Sequence, residues 1–313
     1  MTRDPSPRAV PRSSYPAGPG AAAGRGGGGE TAFRSGLVTV VGRPNVGKST
    51  LVNRILGAKV SITARTPHTT RRRVRGVLNG PDYQAVFVDT PGIHKPRSAL
   101  GTRLNSAATD ALAGVDLCVL VVDAAAPVGP GDRFIAARLP ADSVVVVNKV
   151  DAVPGPATLR QLERAAAELG LGAAEYFPVS AKTGSGVPAL TAHLVDRLPA
   201  GPRYYPEGVV SDVPEAFFVA ELVREQLLKT MRDELPHSIA CRVVEWEWPL
   251  IRCEILVERP SQRAIVVGKR GEVLKAVGTA VRRELAPGAY LDLHVRVERD
   301  WQRRVEEIER LGY

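Results

Sequence analysis

From residue 37 onward, apolar residues gather in short β-branched runs at 37–41, 85–88, 117–122, 144–148 and 177–179, with stretches of helical apolar spacing between them. Runs that are apolar throughout, rather than alternating, belong to strands covered on both faces. The alternation of such strands with amphipathic helices predicts a mainly parallel, doubly wound α/β sheet over residues 36–200. Four prolines between positions 199 and 214 then interrupt regular structure and predict a linker at 201–213. Beyond it the pattern predicts a helix over 215–234, strands over 238–244 and 252–258, and a short strand over 264–267. A helix over 272–285, a strand over 291–297 and a closing helix complete a second, α+β domain at 214–313. Residues 1–35 hold five prolines and the glycine run 26–29 without apolar periodicity, so they are expected to form a disordered low-complexity tail.

Composition adds limits. With 313 residues, 44% of them apolar and 24% charged, the chain has room for two cores and is not globally disordered. The longest apolar stretches, such as 115–122, fall far short of the roughly 20 residues a membrane-crossing helix needs. Three cysteines in apolar segments, without metal-ligand spacing, are expected to be buried thiols in a reducing cytoplasm. The net charge of +9 resides mostly in the first two-thirds of the chain, yet residues 259–283 carry seven Lys/Arg and only Glu272 as an acid. That local basic patch lies on an otherwise balanced domain and points to an anionic partner.

Four short boxes carry chemistry, each at the end of an expected strand. Gly42, Arg43, Pro44, Asn45, Val46, Gly47, Lys48, Ser49 and Thr50 form a phosphate-binding loop between strand and helix. Its glycines let backbone N–H groups turn toward phosphates, Lys48 reaches the β- and γ-phosphates, and Ser49 offers a hydroxyl to Mg²⁺. Asp89, Thr90, Pro91 and Gly92 place a carboxylate for the metal and a glycine N–H for the γ-phosphate. Asn148, Lys149 and Asp151 end a later strand, where the Asp151 carboxylate can accept from guanine N1–H and N2–H₂. Ser180, Ala181 and Lys182 follow the last strand, and the Ala181 N–H can donate to guanine O6. Adenine offers neither pairing, so GTP and GDP are the expected ligands, in the crevice beyond the strand ends of an open α/β sheet.

The finer pattern resembles the Era family of GTPases. The resemblance rests on Gly42-Arg-Pro-Asn-Val-Gly-Lys-Ser-Thr-Leu-Val-Asn53, Val60-Ser-Ile-Thr63, Thr69-Thr-Arg71, Asp89-Thr-Pro-Gly-Ile-His94 and Leu311-Gly-Tyr313, and covers about residues 36–313. It implies that Thr70 joins Ser49 and Asp89 as a Mg²⁺ ligand while the γ-phosphate is present, in a loop that orders with GTP. Lys48, Ser49, Thr70 and Gly92 are then the expected catalytic group. Ile93 stands where many GTPases place a water-orienting glutamine, so slow intrinsic hydrolysis is expected. Similar GTPases with an asparagine at the Asn45 position can use K⁺ as a second cation. Arg71, Arg72 and Arg73 read equally as a solvated charge run or an RNA-facing cluster.

In the C-terminal domain, Ile265-Val-Val-Gly268-Lys269-Arg270-Gly271 resembles the G-x-x-G loop of a KH domain, read here as strand, loop and helix. Two glycines admit a nucleic-acid backbone while Lys269, Arg270 and Lys275 supply cations and Ile265 an apolar wall for bases. Val273, Leu274, Trp246 and Trp248 are expected to pack rather than to bind. The Era resemblance implies a type II KH order and, as partner, the single-stranded 3′ end of small-subunit ribosomal RNA in a 30S-type subunit, during its biogenesis. A monomer is expected, cytoplasmic, with a peripheral membrane contact allowed by the family. The rival reading is a membrane-associated regulatory GTPase that recruits protein partners.

Overall fold

The computed structural model describes residues 32–64, 66, 69–92, 99–111, 114–231 and 235–313. The first layer of the fold is a six-stranded sheet in the order β2-β3-β1-β4-β5-β6. It is built from β1 (Arg34–Val41), β2 (Val74–Asn79), β3 (Tyr83–Asp89), β4 (Leu117–Asp123), β5 (Val144–Asn148) and β6 (Glu175–Val179). All neighbours are parallel except β2 and β3. The helices α1 (Lys48–Leu56), α2 (Ala99–Asp110), α3 (Pro130–Ala136), α4 (Gly155–Glu168) and α5 (Val187–Asp196) connect its strands and its exit. Period-two geometry explains the apolar runs: Val119, Val121, Val144 and Val146 enter one core while Leu120, Val122, Val145 and Val147 enter the core on the opposite face. The antiparallel β2 was not among the expected strands, because Arg75 and Gly76 interrupt its apolar pattern.

Residues 201–213 lie along the outer edge of β2. The Val77 N–H donates to Val210 O at 2.8 Å and Asn79 Nδ2 to Val209 O at 2.9 Å. Buried Gln84 accepts the N–H groups of Tyr204 and Tyr205 and returns Nε2 to Tyr205 O at 3.0 Å. An edge strand that would otherwise present unpaired backbone groups is thereby covered.

The C-terminal part comprises α6 (Glu215–Thr230), α7 (Leu235–Ser238), β7 (Ala240–Glu247), β8 (Leu250–Val257), α8 (Pro260–Val267), α9 (Glu272–Arg282), β9 (Tyr290–Val297) and α10 (Val305–Arg310). Its sheet has β8 in the centre, antiparallel to β7 and parallel to β9, with α6 and α9 packed on the apolar face. Positions 232–234, the end of the expected first helix, lie outside the described residues. The expected short strand at 264–267 is instead the end of helix α8. Pro260 supplies a preset φ at the first turn, and Gln262 Oε1 accepts the N–H groups of Glu258 and Arg259 at 2.8 and 3.0 Å. A three-residue β-branched run is too short to separate the two periods, and here Val266 is buried while Ile265 faces out, 56% exposed. Cys118, Cys241 and Cys253 are buried free thiols. Among the described residues no helix is long and apolar enough to cross a membrane.

Candidate nucleotide site and RNA-binding loop

The loop from Gly42 to Gly47 leaves β1 and enters α1 with its backbone turned inward. Gly42 at φ 152° and Gly47 at φ 100° hold left-handed conformations that a side chain would strain, and a Cβ at Gly47 would collide with the Asn148 amide. Lys48 is buried, and its Nζ donates to the carbonyls of Gly42 at 3.0 Å and Arg43 at 2.9 Å, so the ammonium lies over the loop. Burial lowers its pKa to about 8, and Asp89 works in the opposite direction. Arg43 is tied outward: its Nε meets the fully buried Asp132 of α3 at 2.8 Å.

Three oxygens converge beside Lys48. Ser49 Oγ and Thr70 Oγ1 are 2.9 Å apart, and Thr70 Oγ1 lies 3.4 Å from Asp89 Oδ2. Asp89 is completely buried, and its Oδ1 has no hydrogen-bond partner. Burial raises its pKa, while Ser49, Lys48, Ser61 and Thr70 pull it down. A buried carboxylate oxygen with no donor, flanked by two hydroxyls, suits a hard oxygen-seeking cation such as Mg²⁺ completed by phosphate oxygens and water. The Thr90 hydroxyl is taken up elsewhere, donating to Val40 O at 2.8 Å and pinning β3 to β1. Gly92 comes so close to Pro44 that a Cβ there would meet its backbone at 2.8 Å. Ile93 and His94 lie outside the described residues.

At the other end of the crevice Asn148 is a spacer. Its Nδ2 donates to Val46 O at 2.8 Å and its Oδ1 accepts the Ala181 N–H at 2.9 Å, so the phosphate loop and the 180–182 turn are held in one register. The Asp151 carboxylate accepts from Ser180 Oγ at 2.6 Å, with Lys182 Nζ 4.0 Å away. Lys149, at φ 70°, is paired through Nζ with Asp123 at 2.6 Å. The expected guanine residues thus lie together at the ends of β5 and β6; Asp123 joins them through Lys149 and Asp132 joins the phosphate loop through Arg43, both unannounced by any motif.

The G-x-x-G segment joins α8 to α9, so it is a helix–loop–helix rather than the expected strand–loop–helix. Gly268 (φ 74°) and Gly271 (φ 78°) bracket Lys269 and Arg270, and Arg270 itself is left-handed at φ 53°. A Cβ on Gly268 would strike the Val273 side chain. Lys269, Arg270 and Lys275 are exposed, and none has a carboxylate partner among the described residues. Val273, Leu274 and Trp246 pack against the core, as expected, whereas Trp248 is 46% exposed.

A family model described as a 50S ribosome-binding GTPase matches residues 37–149, and a KH-domain model matches 234–302. GTPase Era of Mycobacterium tuberculosis H37Rv is 46% identical over 301 residues, covering 90% of this chain and all of that relative. This chain belongs to the Era GTPase family. GTPase Era of Mycolicibacterium smegmatis is 43% identical with the same coverage. Two solved Era structures superpose with TM-scores of 0.85 at 35% identity, over 90% of this chain and 99% of each of theirs. One is a single-residue variant of Aquifex aeolicus Era bound to GDP and AlF₄⁻; the other is Era with MgGDPNP and nucleotides 1506–1542 of 16S ribosomal RNA. The chain thus has the Era architecture of a P-loop GTPase domain followed by a KH domain.

In this Era-family chain the segment 69–71 touches the C-terminal part on both sides of Thr70. The guanidinium of Arg224, on α6, donates to Thr69 O and pairs with Glu221. Arg71 is buried rather than solvated or RNA-facing: its Nη1 donates to Ile239 O at 2.8 Å, and its guanidinium lies over the rings of Trp301 and Tyr313 at 5.4 and 5.3 Å. Burial and the neighbouring Arg224 both work against its charge. Further back, Glu225 accepts the Thr63 N–H at 2.8 Å and Lys59 Nζ at 2.7 Å. Apart from Arg224–Glu221, which are three residues apart on α6, these pairs join residues more than 150 positions apart, and the sequence offers no local signal for them.

Proposed function

We propose that this protein hydrolyses GTP to GDP and phosphate and, in its GTP form, binds the 3′ end of small-subunit ribosomal RNA during subunit biogenesis. The observation that carries this reading is the position of Thr70, 2.9 Å from Ser49 Oγ, between two residues held by the KH part. Relatives crystallised with GDP and AlF₄⁻, with MgGDPNP and with 16S RNA support the same ligands here.

In the proposed roles, the backbone of residues 42–50 and of 89–92 cradles the phosphates while Lys48 leaves its two carbonyls for the β- and γ-oxygens. Ser49, Thr70 and Asp89 hold Mg²⁺, which supplies charge neutralisation at the phosphates. The Gly92 N–H meets the γ-phosphate, and Asn148, Lys149, Asp151, Ser180, Ala181 and Lys182 grip guanine. Gly268 and Gly271 admit the RNA backbone, Lys269, Arg270 and Lys275 meet its phosphates, and Ile265 offers an apolar contact to an unstacked base. The chain divides in this reading into 36–200 and 214–313, joined by 201–213. K⁺ beside Asn45, a monomeric and cytoplasmic protein, and a peripheral membrane contact belong to the same reading. Turnover in KCl against NaCl, sedimentation and vesicle flotation read these finer parts in turn. The central test measures GTP hydrolysis and binding of a 16S 3′-end oligonucleotide with GDP or a non-hydrolysable GTP analogue; equal RNA affinity in both states would refute the switch.

A further inference from the structure

A second basic region lies far from the G-x-x-G loop in sequence. A cleft of about 610 Å³ opens between the two parts of the molecule, and its walls carry Arg72, Arg73, Arg75 and Arg103, with Asp212 as the one acid among the described lining residues. Arg73 and Arg75 are both exposed, while Val74 between them is buried, which sends the two guanidinium groups to the same side of the chain. The Arg72 guanidinium lies over the Phe217 ring, 5.2 Å from its centre. Arg103 faces them from α2.

These charges are compensated only in part: Arg75 has the Tyr205 hydroxyl and Asp212 beside it. Arg73 has no carboxylate partner among the described residues. Arg75 meets Asp212 at 3.6 Å and Arg103 meets Glu309 at 3.2 Å, all four side chains at least a third exposed. Exposed pairs of this kind hold their partners weakly, so an incoming anion displaces them readily. Leu37, Val88, Ala111 and Val115 also line the cleft, and apolar walls strengthen the field of cations beside them. Its volume is that of a ligand pocket and exceeds what one carboxylate would occupy.

We propose that this cleft is a binding site for two or more linked phosphate groups, gripped by the forks of Arg73, Arg75 and Arg103 with Arg72 at the rim. Arginine matches phosphate oxygens two at a time, and several forks around one cavity select a ligand with several phosphates over a single anion. A free oligophosphate and an RNA backbone share this chemistry. Either one would bridge α2 and β2 to the linker and the C-terminal segment, next to Thr70 and Arg71.

The test uses the full chain saturated with GDP and Mg²⁺, so that the nucleotide crevice is filled. Inorganic tripolyphosphate is titrated calorimetrically, and a single-stranded 16S 3′-end oligonucleotide is titrated in parallel. The double variant Arg73→Gln/Arg103→Gln should weaken tripolyphosphate binding at least tenfold at unchanged GDP affinity, identifying free oligophosphate as the ligand. If tripolyphosphate does not bind but the oligonucleotide weakens at least fivefold, with its log–log salt slope shallower by about 1.4, the ligand is the RNA backbone. Asp212→Asn, which removes the competing acid while keeping its shape, should tighten the same ligand severalfold. The proposal is overturned if neither ligand loses affinity in the double variant.

Discussion

Asp151 and Ser180 form the most exposed point of the guanine assignment, because a 2.6 Å hydrogen bond from Ser180 Oγ orients the carboxylate that would read the base. Ser180→Ala should raise the Kd for GDP about tenfold, the worth of one hydrogen bond to a charged group. Asp151→Asn should shift preference from guanine toward xanthine, because the amide presents a donor where the carboxylate accepted. Competition binding measures both, and a wild-type protein that binds ATP as tightly as GTP would remove the basis of the assignment.

At the scale of elements, the loop between α8 and α9 and the cover over β2 each make a separate claim. Lys269→Ala/Arg270→Ala removes two cations from an exposed loop whose shape is set by Gly268 and Gly271. Affinity for a single-stranded 16S 3′-end oligonucleotide should fall, and the magnitude of its salt slope should drop by about 1.4, at unchanged GTP hydrolysis. The β2 edge depends on buried Gln84, whose amide makes three bonds to Tyr204 and Tyr205. Gln84→Ala should destabilise the protein by about 2 kcal/mol, read from the urea midpoint, with nucleotide affinity retained.

Across the whole molecule, the joint between the two parts is made of buried charge. Arg224 is completely buried against Glu221, so Arg224→Met leaves a buried carboxylate unpaired and should cost about 3 kcal/mol. Near it, burial would raise the Glu225 carboxyl, but Lys59, the Thr63 N–H and Lys229 outweigh that and hold it below its ordinary value of 4.5. A carboxyl depressed in the folded state contributes stability that is present above 4.5 and lost as pH falls through the folded value. Glu225→Gln should therefore flatten the loss of stability on acidification below pH 4.5, measured as Tm against pH.

The boxes at 42–50, 89–92, 148–151 and 180–182 were legible in the sequence because each is a contiguous stretch at a strand end, and contiguous stretches survive in a linear reading. The parallel strands were legible because burial on both faces leaves an uninterrupted apolar run. What the sequence determined was thus the kind of site and the kind of sheet that carries it. Helix α8 was not legible, since Ile265, Val266 and Val267 suit either period until Gln262 caps the turn and the sheet takes Val266 alone. Arg71 was read as a surface charge or an RNA contact, because nothing beside it shows that Trp301, Tyr313 and the Ile239 carbonyl will enclose it. Only the tertiary structure decides such cases: a cation is buried where distant groups replace its water, and those groups are brought together by packing of the whole chain.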